Sequence, residues 1–471
     1  MSINETLKTL DEIPESTSQH TLKRHLKARH IRLMALGSTI GVGLFLGSGS
    51  AISYAGPSIL LGYILAGLVA FVVLRALGEM AVHQPVAGSF AQYANEYVSP
   101  LMGYMVGWSY WFYWMIVGIA EVTAVGIYMG VWFPEYPQWI WAISALMMMG
   151  LLNFVAVKLF GEIEFWFALI KVLAIIVMIA IGFSVILFGF TNNGVPVGFD
   201  NLWKHGGFFP MGLEGFLISI QLAMFAYIGI EMIGLSAGET QSPEKTIPIA
   251  INSLIIRIII FYVGALLVIL AIYPWNEISS QGGSPFVAMF ERLGLREAAG
   301  VVNFVVITAA LSSCNAGIFS GGRLLLSLSK NGYAPQFLQK ISISGVPKSA
   351  VLLTVILSAI GTLLNYFVPE KAFIYLTSAL TLVGLSVWIA ILYTQICFRK
   401  KLMDSEVESL NFKCKFWPYS SYIAAIFILL VIGLISFYEE TRIGLYVGST
   451  IYITLILFYY LFGFHRRKAV K

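Results

Sequence analysis

Cysteine and charge are both scarce in this chain. Three cysteines, Cys314, Cys397 and Cys414, are too few and too scattered for a disulfide framework or a thiolate metal site. Charged residues make up 11% of the sequence, against about 25% in ordinary soluble domains. With 58% hydrophobic residues over 471 positions and a mean hydropathy of +0.82, a soluble globular protein is excluded. No polar stretch is long enough to form a separate domain of ordinary size, which argues against a receptor with its own signalling module. Histidine is confined to tails and expected loops, at His20, His25, His30, His83, His205 and His465. Without imidazole in the apolar runs, a membrane-embedded hydrolase or metalloenzyme lacks its usual parts, and no metal or other cofactor is expected. The first 28 residues have no apolar h-region or cleavage site and read as a cytoplasmic tail, not a signal peptide.

What the chain has in abundance is apolar runs long enough to cross a bilayer, which takes about 20 residues each. About twelve such runs lie near 31–55, 59–80, 101–127, 138–157, 164–190, 213–238, 250–272, 297–323, 348–367, 371–396, 419–437 and 444–463. The expected fold class is an all-α polytopic membrane protein in the lipid bilayer. Its net charge of +5 follows from loop asymmetry and does not argue for nucleic acid. With an even number of spans and the N-terminus inside, only Lys204, Arg292, Arg296, Lys371 and Arg442 fall outside. Lys23, Arg24, Lys330, Lys340, Arg399, Lys400, Lys401, Lys413, Lys415, Arg466 and others fall inside. The positive-inside rule then places both termini in the cytoplasm.

Two of the runs are poor helices. Gly37–Gly47 reads Gly-Ser-Thr-Ile-Gly-Val-Gly-Leu-Phe-Leu-Gly, and each interior glycine costs a helix up to about 1 kcal/mol relative to alanine. Either these glycines are packing notches in an intact helix, or the span is broken between two half-helices over Gly37–Gly43. A break in hydrocarbon requires protein or a wet cavity around it. The second half-helix, starting near Leu44, would present free N–H groups and a positive dipole end suited to a carboxylate. The sixth run repeats the anomaly in Phe225-Ala-Tyr-Ile-Gly-Ile-Glu-Met-Ile-Gly, ending at Gly234. Two interrupted spans, each opening a set of five, point to an inverted-repeat transporter with its site at the interruptions. The expected division is a tail at 1–28, a first repeat at 29–190, a second at 213–398, and a remainder at 399–471. That remainder holds a basic link, two extra C-terminal helices and a tail.

Several motifs carry a resemblance. They are Ala35-Leu-Gly-Ser-Thr-Ile-Gly-Val-Gly-Leu-Phe, Arg75-Ala-Leu-Gly-Glu-Met, Gly161-Glu-Ile-Glu-Phe-Trp-Phe-Ala-Leu-Ile-Lys-Val, Gly238-Glu-Thr-Gln-Ser-Pro-Glu-Lys-Thr-Ile-Pro and Ser312-Ser-Cys-Asn-Ala-Gly-Ile-Phe. In this order the chain resembles the amino acid–polyamine–organocation transporters, in their bacterial amino acid permease branch. It is most similar there to the proline- and aromatic-type permeases. The resemblance implies a five-plus-five inverted repeat with helices 1 and 6 interrupted, and import of an L-amino acid with a proton. An amino acid/amine exchanger is the other transport reading. Alternating access would rock spans one, two, six and seven against the rest.

The substrate carboxylate is then expected at the backbone of Ser38, Thr39, Ile40, Gly41 and Gly43. The α-ammonium is expected at carbonyls near Ala35 and along Phe225, Ala226, Tyr227 and Ile228, with Tyr227 a candidate lid. Lys171 in the fifth span is the sharpest charge, because an intramembrane lysine is costly. The resemblance makes it a proton-coupling residue, with Gly37 or Ser38 and the Ser312–Ser313 pair as its expected neighbours; a lysine snorkelling from the inner end is the alternative. Glu121 is either a pocket residue or a structural carboxyl. Glu231 either helps the site or favours a helix start. Arg257 is expected to pair with Glu239 or to lie near the inner end. Side-chain selectivity is expected from Thr123, Cys314, Asn315 and Ser378. Glu79, Glu239 and Arg323 at the cytoplasmic ends are gate candidates.

Overall fold

A computed structural model describes residues 40–86, 88–155, 157–188, 197–239, 242–281, 284–437 and 439–466. All regular secondary structure among these residues is helical. Among the described residues, nine stretches are long and apolar enough to cross a membrane, and Gln138–Phe154 and Tyr419–Ile435 are shorter apolar helices. One of the nine, Val42–His83, holds two expected spans, because the first turns directly into the second through a 3-10 turn at Gly56–Ser58. Gly56 sits there at φ +58, a conformation that disfavours side chains. The third span is Pro100–Trp132, the eighth Arg296–Lys330 and the tenth Pro369–Lys401.

The third and eighth spans share the most extensive helix–helix packing. Polar groups tie neighbouring spans together. Trp111 Nε1 donates to Thr354 Oγ1 at 3.1 Å, and Asn303 Nδ2 to the Tyr128 carbonyl at 3.1 Å. In hydrocarbon such bonds replace the hydrophobic drive that helices lose. The fifth span exposes Leu173, Ile176 and Val177, and the last exposes Tyr446, Ile453 and Leu457. These faces are apolar because their solvent is lipid.

The fifth span departs from the expected 164–190. Its helix runs Val157–Phe188, so it begins a full two turns earlier. Glu164 looks like a boundary charge in the sequence. It is 1% exposed, and its carboxyl accepts a hydrogen bond from the Ser312 hydroxyl at 2.6 Å. A charge satisfied inside the protein does not end a span. Lys171 consequently lies near the middle of its helix, fully buried, which removes the snorkelling alternative.

Candidate functional site

Description begins at Ile40, so the helix expected before Gly37 lies outside the described residues, and the first helix described is the one after the expected break. Gly41 is extended, at φ −129 and ψ −164, and caps a helix that starts at Val42 rather than near Leu44. The Leu44 and Phe45 amides both go back to the Gly41 carbonyl, at 3.1 and 3.2 Å. The Val42 and Gly43 amides therefore lie ahead of the first intrahelical bond. Ala35, Ser38 and Thr39 fall outside the described residues, so this half of the expected carboxylate cradle is represented by Ile40, Gly41 and Gly43.

The second interruption follows Gly212–Tyr227, where Ile228 turns extended at φ −65 and ψ 136. Gly229 takes φ +109, which an L side chain rarely adopts, and the helix resumes at Met232–Leu235. Glu231 holds this unwound turn in place. Its Oε1 accepts from the Tyr110 hydroxyl at 2.8 Å, and its Oε2 from Trp388 Nε1 at 3.0 Å and from the Gly229 amide at 3.0 Å. Its buried carboxylate binds the third, sixth and tenth spans together and is not on the wall of the cavity described below.

The start of the first described helix and the break in the sixth span lie on one cavity. This cavity of about 40 Å³ has Gly41 and Val42 on one side and Phe225, Ala226, Ile228 and Gly229 on the other. Tyr113, Trp114, Val117, Ala120 and Glu121 of the third span form another wall. Ser313 and Ala316 of the eighth and Leu380 of the tenth complete it. Polar groups are few and convergent, as in small-molecule sites generally. Glu121 faces the Val42 amide and the Ser313 hydroxyl, and its Oε2 is buried without a hydrogen-bond partner among the described residues.

Gly43 is not on the cavity wall. A Cβ there would come 2.9 Å from Ala226 Cα and 3.3 Å from the Phe225 ring. Its role is to let the first and sixth spans touch, a correction to its expected place against the ligand. Gly43→Ala should push them apart. Substrate-dependent thermal stabilisation should then disappear while the folded protein persists; a full-size shift in that variant would contradict the assignment.

Tyr227 also turns away. It is fully buried, its hydroxyl donates to the Tyr63 carbonyl at 3.1 Å, and its ring lies 4.5 Å from that of Tyr262. It is a packing residue of the second and seventh spans, not a lid. The carbonyls proposed for the ammonium are largely taken. Those of Phe225 and Tyr227 accept the amides of Ile228 and Ile230, and that of Ala226 accepts the Tyr262 hydroxyl. Thr123 donates to the Ile119 carbonyl and accepts from Asn365, outside the cavity.

Of the neighbours expected for Lys171, Gly37 and Ser38 lie outside the described residues. Lys171 Nζ donates to Ser312 Oγ at 2.9 Å, while Ser313, one residue on, faces the cavity. Asn315 sits behind with Asn153, whose Nδ2 donates to Asn315 Oδ1 at 2.7 Å, so Asn315 does not line the cavity either. Glu164 belongs to this buried group and was not singled out from the sequence. The available signal was its spacing of seven from Lys171, which puts both on one helix face.

Of the gate candidates, the Glu239 side chain lies outside the described residues. Glu79 is buried and clasped by Arg399, with Nε–Oε1 at 2.6 Å and Nη2–Oε2 at 2.7 Å. Gln395 Nε2 donates to it at 3.1 Å, and the Cys414 amide also bonds to it. Arg323 instead covers the Phe319 ring, 3.2 Å from its centroid. Arg399→Ala strands a buried carboxylate, which typically costs about 3–5 kcal/mol. A marked drop in melting temperature is expected, with only partial relief from Arg399→Lys because lysine cannot make the two-pronged contact. An unchanged melting curve for Arg399→Ala would show the clasp to be dispensable.

Comparison with known proteins matches residues 30–470 to the family described as amino acid permease. The uncharacterized amino acid permease YtnA of Bacillus subtilis is 52% identical over 448 residues, covering 95% of this chain and 96% of the relative. A Bacillus subtilis protein described as a probable threonine/serine transporter, YbxG, is 48% identical over 96% of this chain and 97% of its own length. The amino-acid permease AapA of the same organism is 43% identical over 94% of this chain and 95% of its own length.

Proposed function

We propose that this chain, which belongs to the amino acid permease family, imports a small neutral L-amino acid by proton symport. Membership makes it a multi-pass membrane transporter of amino acids and not an enzyme. The observation that carries the finer reading is the convergence of the Gly41–Val42 helix start and the sixth-span break on one cavity, with Glu121 and Ser313 on its wall. Small size is supported by the cavity's volume of about 40 Å³ and its apolar lining by Val117, Ala120 and Ala316. A relative bearing a threonine/serine transporter description fits the same size class.

The substrate carboxylate would take the Val42 end of the broken first span, where helix amides and dipole favour an anion. Glu121 faces that amide now. An arriving carboxylate displaces it, and Glu121 then turns to the substrate ammonium. Lys171, buried behind Ser312, carries the coupled proton. The Glu79–Arg399 clasp serves as part of the inner gate, with Glu239 in the adjoining loop. Both termini lie in the cytoplasm of a cell whose inner membrane holds the protein.

The test is a thermal-shift screen of the purified protein against the common L-amino acids, followed by uptake into proteoliposomes. A ligand at 100 times its Kd adds about 2.7 kcal/mol of apparent stability. L-Serine or L-threonine should raise the melting temperature, and uptake into empty vesicles should collapse with a protonophore. Uptake that ignores the protonophore and requires preloaded counter-substrate would make the protein an exchanger.

A further inference from the structure

We propose that Glu164 is the proton acceptor for Lys171, reached through the Ser312 hydroxyl, so that the coupling element is a three-residue relay and not a lone lysine. The proposal rests on the proton-symport reading of Lys171 given above. Its basis is a directed chain of hydrogen bonds in a fully enclosed place. Lys171 Nζ donates to Ser312 Oγ at 2.9 Å, and Ser312 Oγ donates onward to Glu164 Oε1 at 2.6 Å. All three side chains are 1% exposed or less. The order of donors is the one a proton needs to move from the ammonium to the carboxylate.

The step balances without any other reactant. The ammonium gives a proton to Ser312 Oγ, and the serine passes its own hydroxyl proton to Glu164 Oε1. A neutral amine, an intact serine and a neutral carboxylic acid remain. A charged pair thus becomes an uncharged one with no net change, which lets the fifth and eighth spans pass between states with no isolated ion in low dielectric. The receiving oxygen, Glu164 Oε1, is the one that already accepts the Ser312 hydroxyl, so the proton moves along an existing hydrogen bond.

The surroundings fit a relay connected to the substrate. Among the described residues, the charges of Glu164 and Glu121 reach Lys171. Asn315 stands beside the Glu164 carboxyl and is fixed by Asn153. Ser312 and Ser313 are consecutive, so the eighth span touches the relay with one hydroxyl and the substrate cavity with the next. A proton carried past Glu121 in the cavity would have Lys171 as its next station, and Glu164 would hold it there.

Proteoliposomes with pyranine inside provide the test, using an equimolar mixture of the twenty standard L-amino acids as substrate. Wild-type protein should acidify the lumen on addition of the mixture and should also support counterflow of the radiolabelled mixture. Glu164→Gln should cut substrate-driven acidification by about tenfold or more. It should keep counterflow near the wild-type rate and flatten the dependence of uptake on external pH. Ser312→Ala, which breaks the bridge without changing a charge, should act in the same direction. It decides the matter if Glu164→Gln does not fold. Normal acidification in either folded variant overturns the relay, as does an equal loss of acidification and counterflow, the mark of a merely structural carboxyl. Should Lys171→Ala lose acidification while Glu164→Gln and Ser312→Ala keep it, only the relay fails. If Lys171→Ala itself acidifies normally, the symport role of Lys171 fails with it.

Discussion

Lys171→Ala should abolish the response of uptake to an imposed pH gradient while leaving substrate binding and counterflow in place. The lysine is fully buried near the middle of the fifth span and outside the cavity wall, so its removal takes nothing directly from the ligand. What it removes is a hydrogen bond to Ser312 from a charged donor and the positive charge facing Glu164 and Glu121. A bond of that kind is typically worth about 1.5–3 kcal/mol, a factor of about ten or more in a conformational equilibrium. Arginine is the sharper control. It stays protonated inside proteins, so Lys171→Arg preserves charge but cannot release a proton and should fail as alanine does. A Lys171→Arg protein with normal pH-driven uptake would mean that the charge matters and the proton does not. The measurement is initial-rate uptake into proteoliposomes with and without a gradient, alongside ligand-induced thermal shift.

Much of the architecture was readable because membranes punish irregularity. Glycines and polar residues in the first and sixth apolar runs cost helix stability in a medium that offers backbone groups no water. Their pairing therefore pointed to one place before any coordinates, and Gly41, Phe225, Ala226 and Ile228 line one cavity. What could not be read was rotation about a helix axis. Successive residues turn by about 100°, so Tyr227, two positions after Phe225, points to the opposite side and packs on Tyr63 and Tyr262. The same geometry separates the eighth-span cluster. Ser313 and Ala316, three apart, face the cavity, while Ser312 and Asn315, also three apart, face the buried relay. A run of adjacent polar residues announces that something polar is near but not which face holds the ligand. Glu164 was missed for a related reason. At the edge of an apolar run a carboxylate looks like the end of a helix, and only a tertiary partner such as Ser312 reveals that the helix continues past it.

Glu231→Ala should be the most destabilising single change in the sixth span and should abolish binding as a consequence of that loss. Its carboxylate is the shared acceptor for the Tyr110 hydroxyl, the Trp388 indole N–H and the Gly229 amide, all buried. Alanine leaves three donors without a partner, and each buried unsatisfied group costs about 1–3 kcal/mol. The sum is comparable with the total stability of a typical folded protein, about 5–15 kcal/mol. Gln at this position keeps one oxygen as acceptor and turns an NH₂ group towards a remaining donor, so Glu231→Gln should fall between alanine and wild type. A residue that contacted the ligand would behave differently, losing affinity at an unchanged melting temperature. Thermal unfolding in detergent without substrate separates the cases, because it reads only the frame around the break. If Glu231→Ala melts with the wild type but no longer shifts with amino acids, the carboxylate belongs to the ligand. If melting falls first and binding follows, the acid is what keeps the sixth span open: the cavity then exists because Glu231 supplies the Gly229 amide with the acceptor that an unbroken helix would have given it.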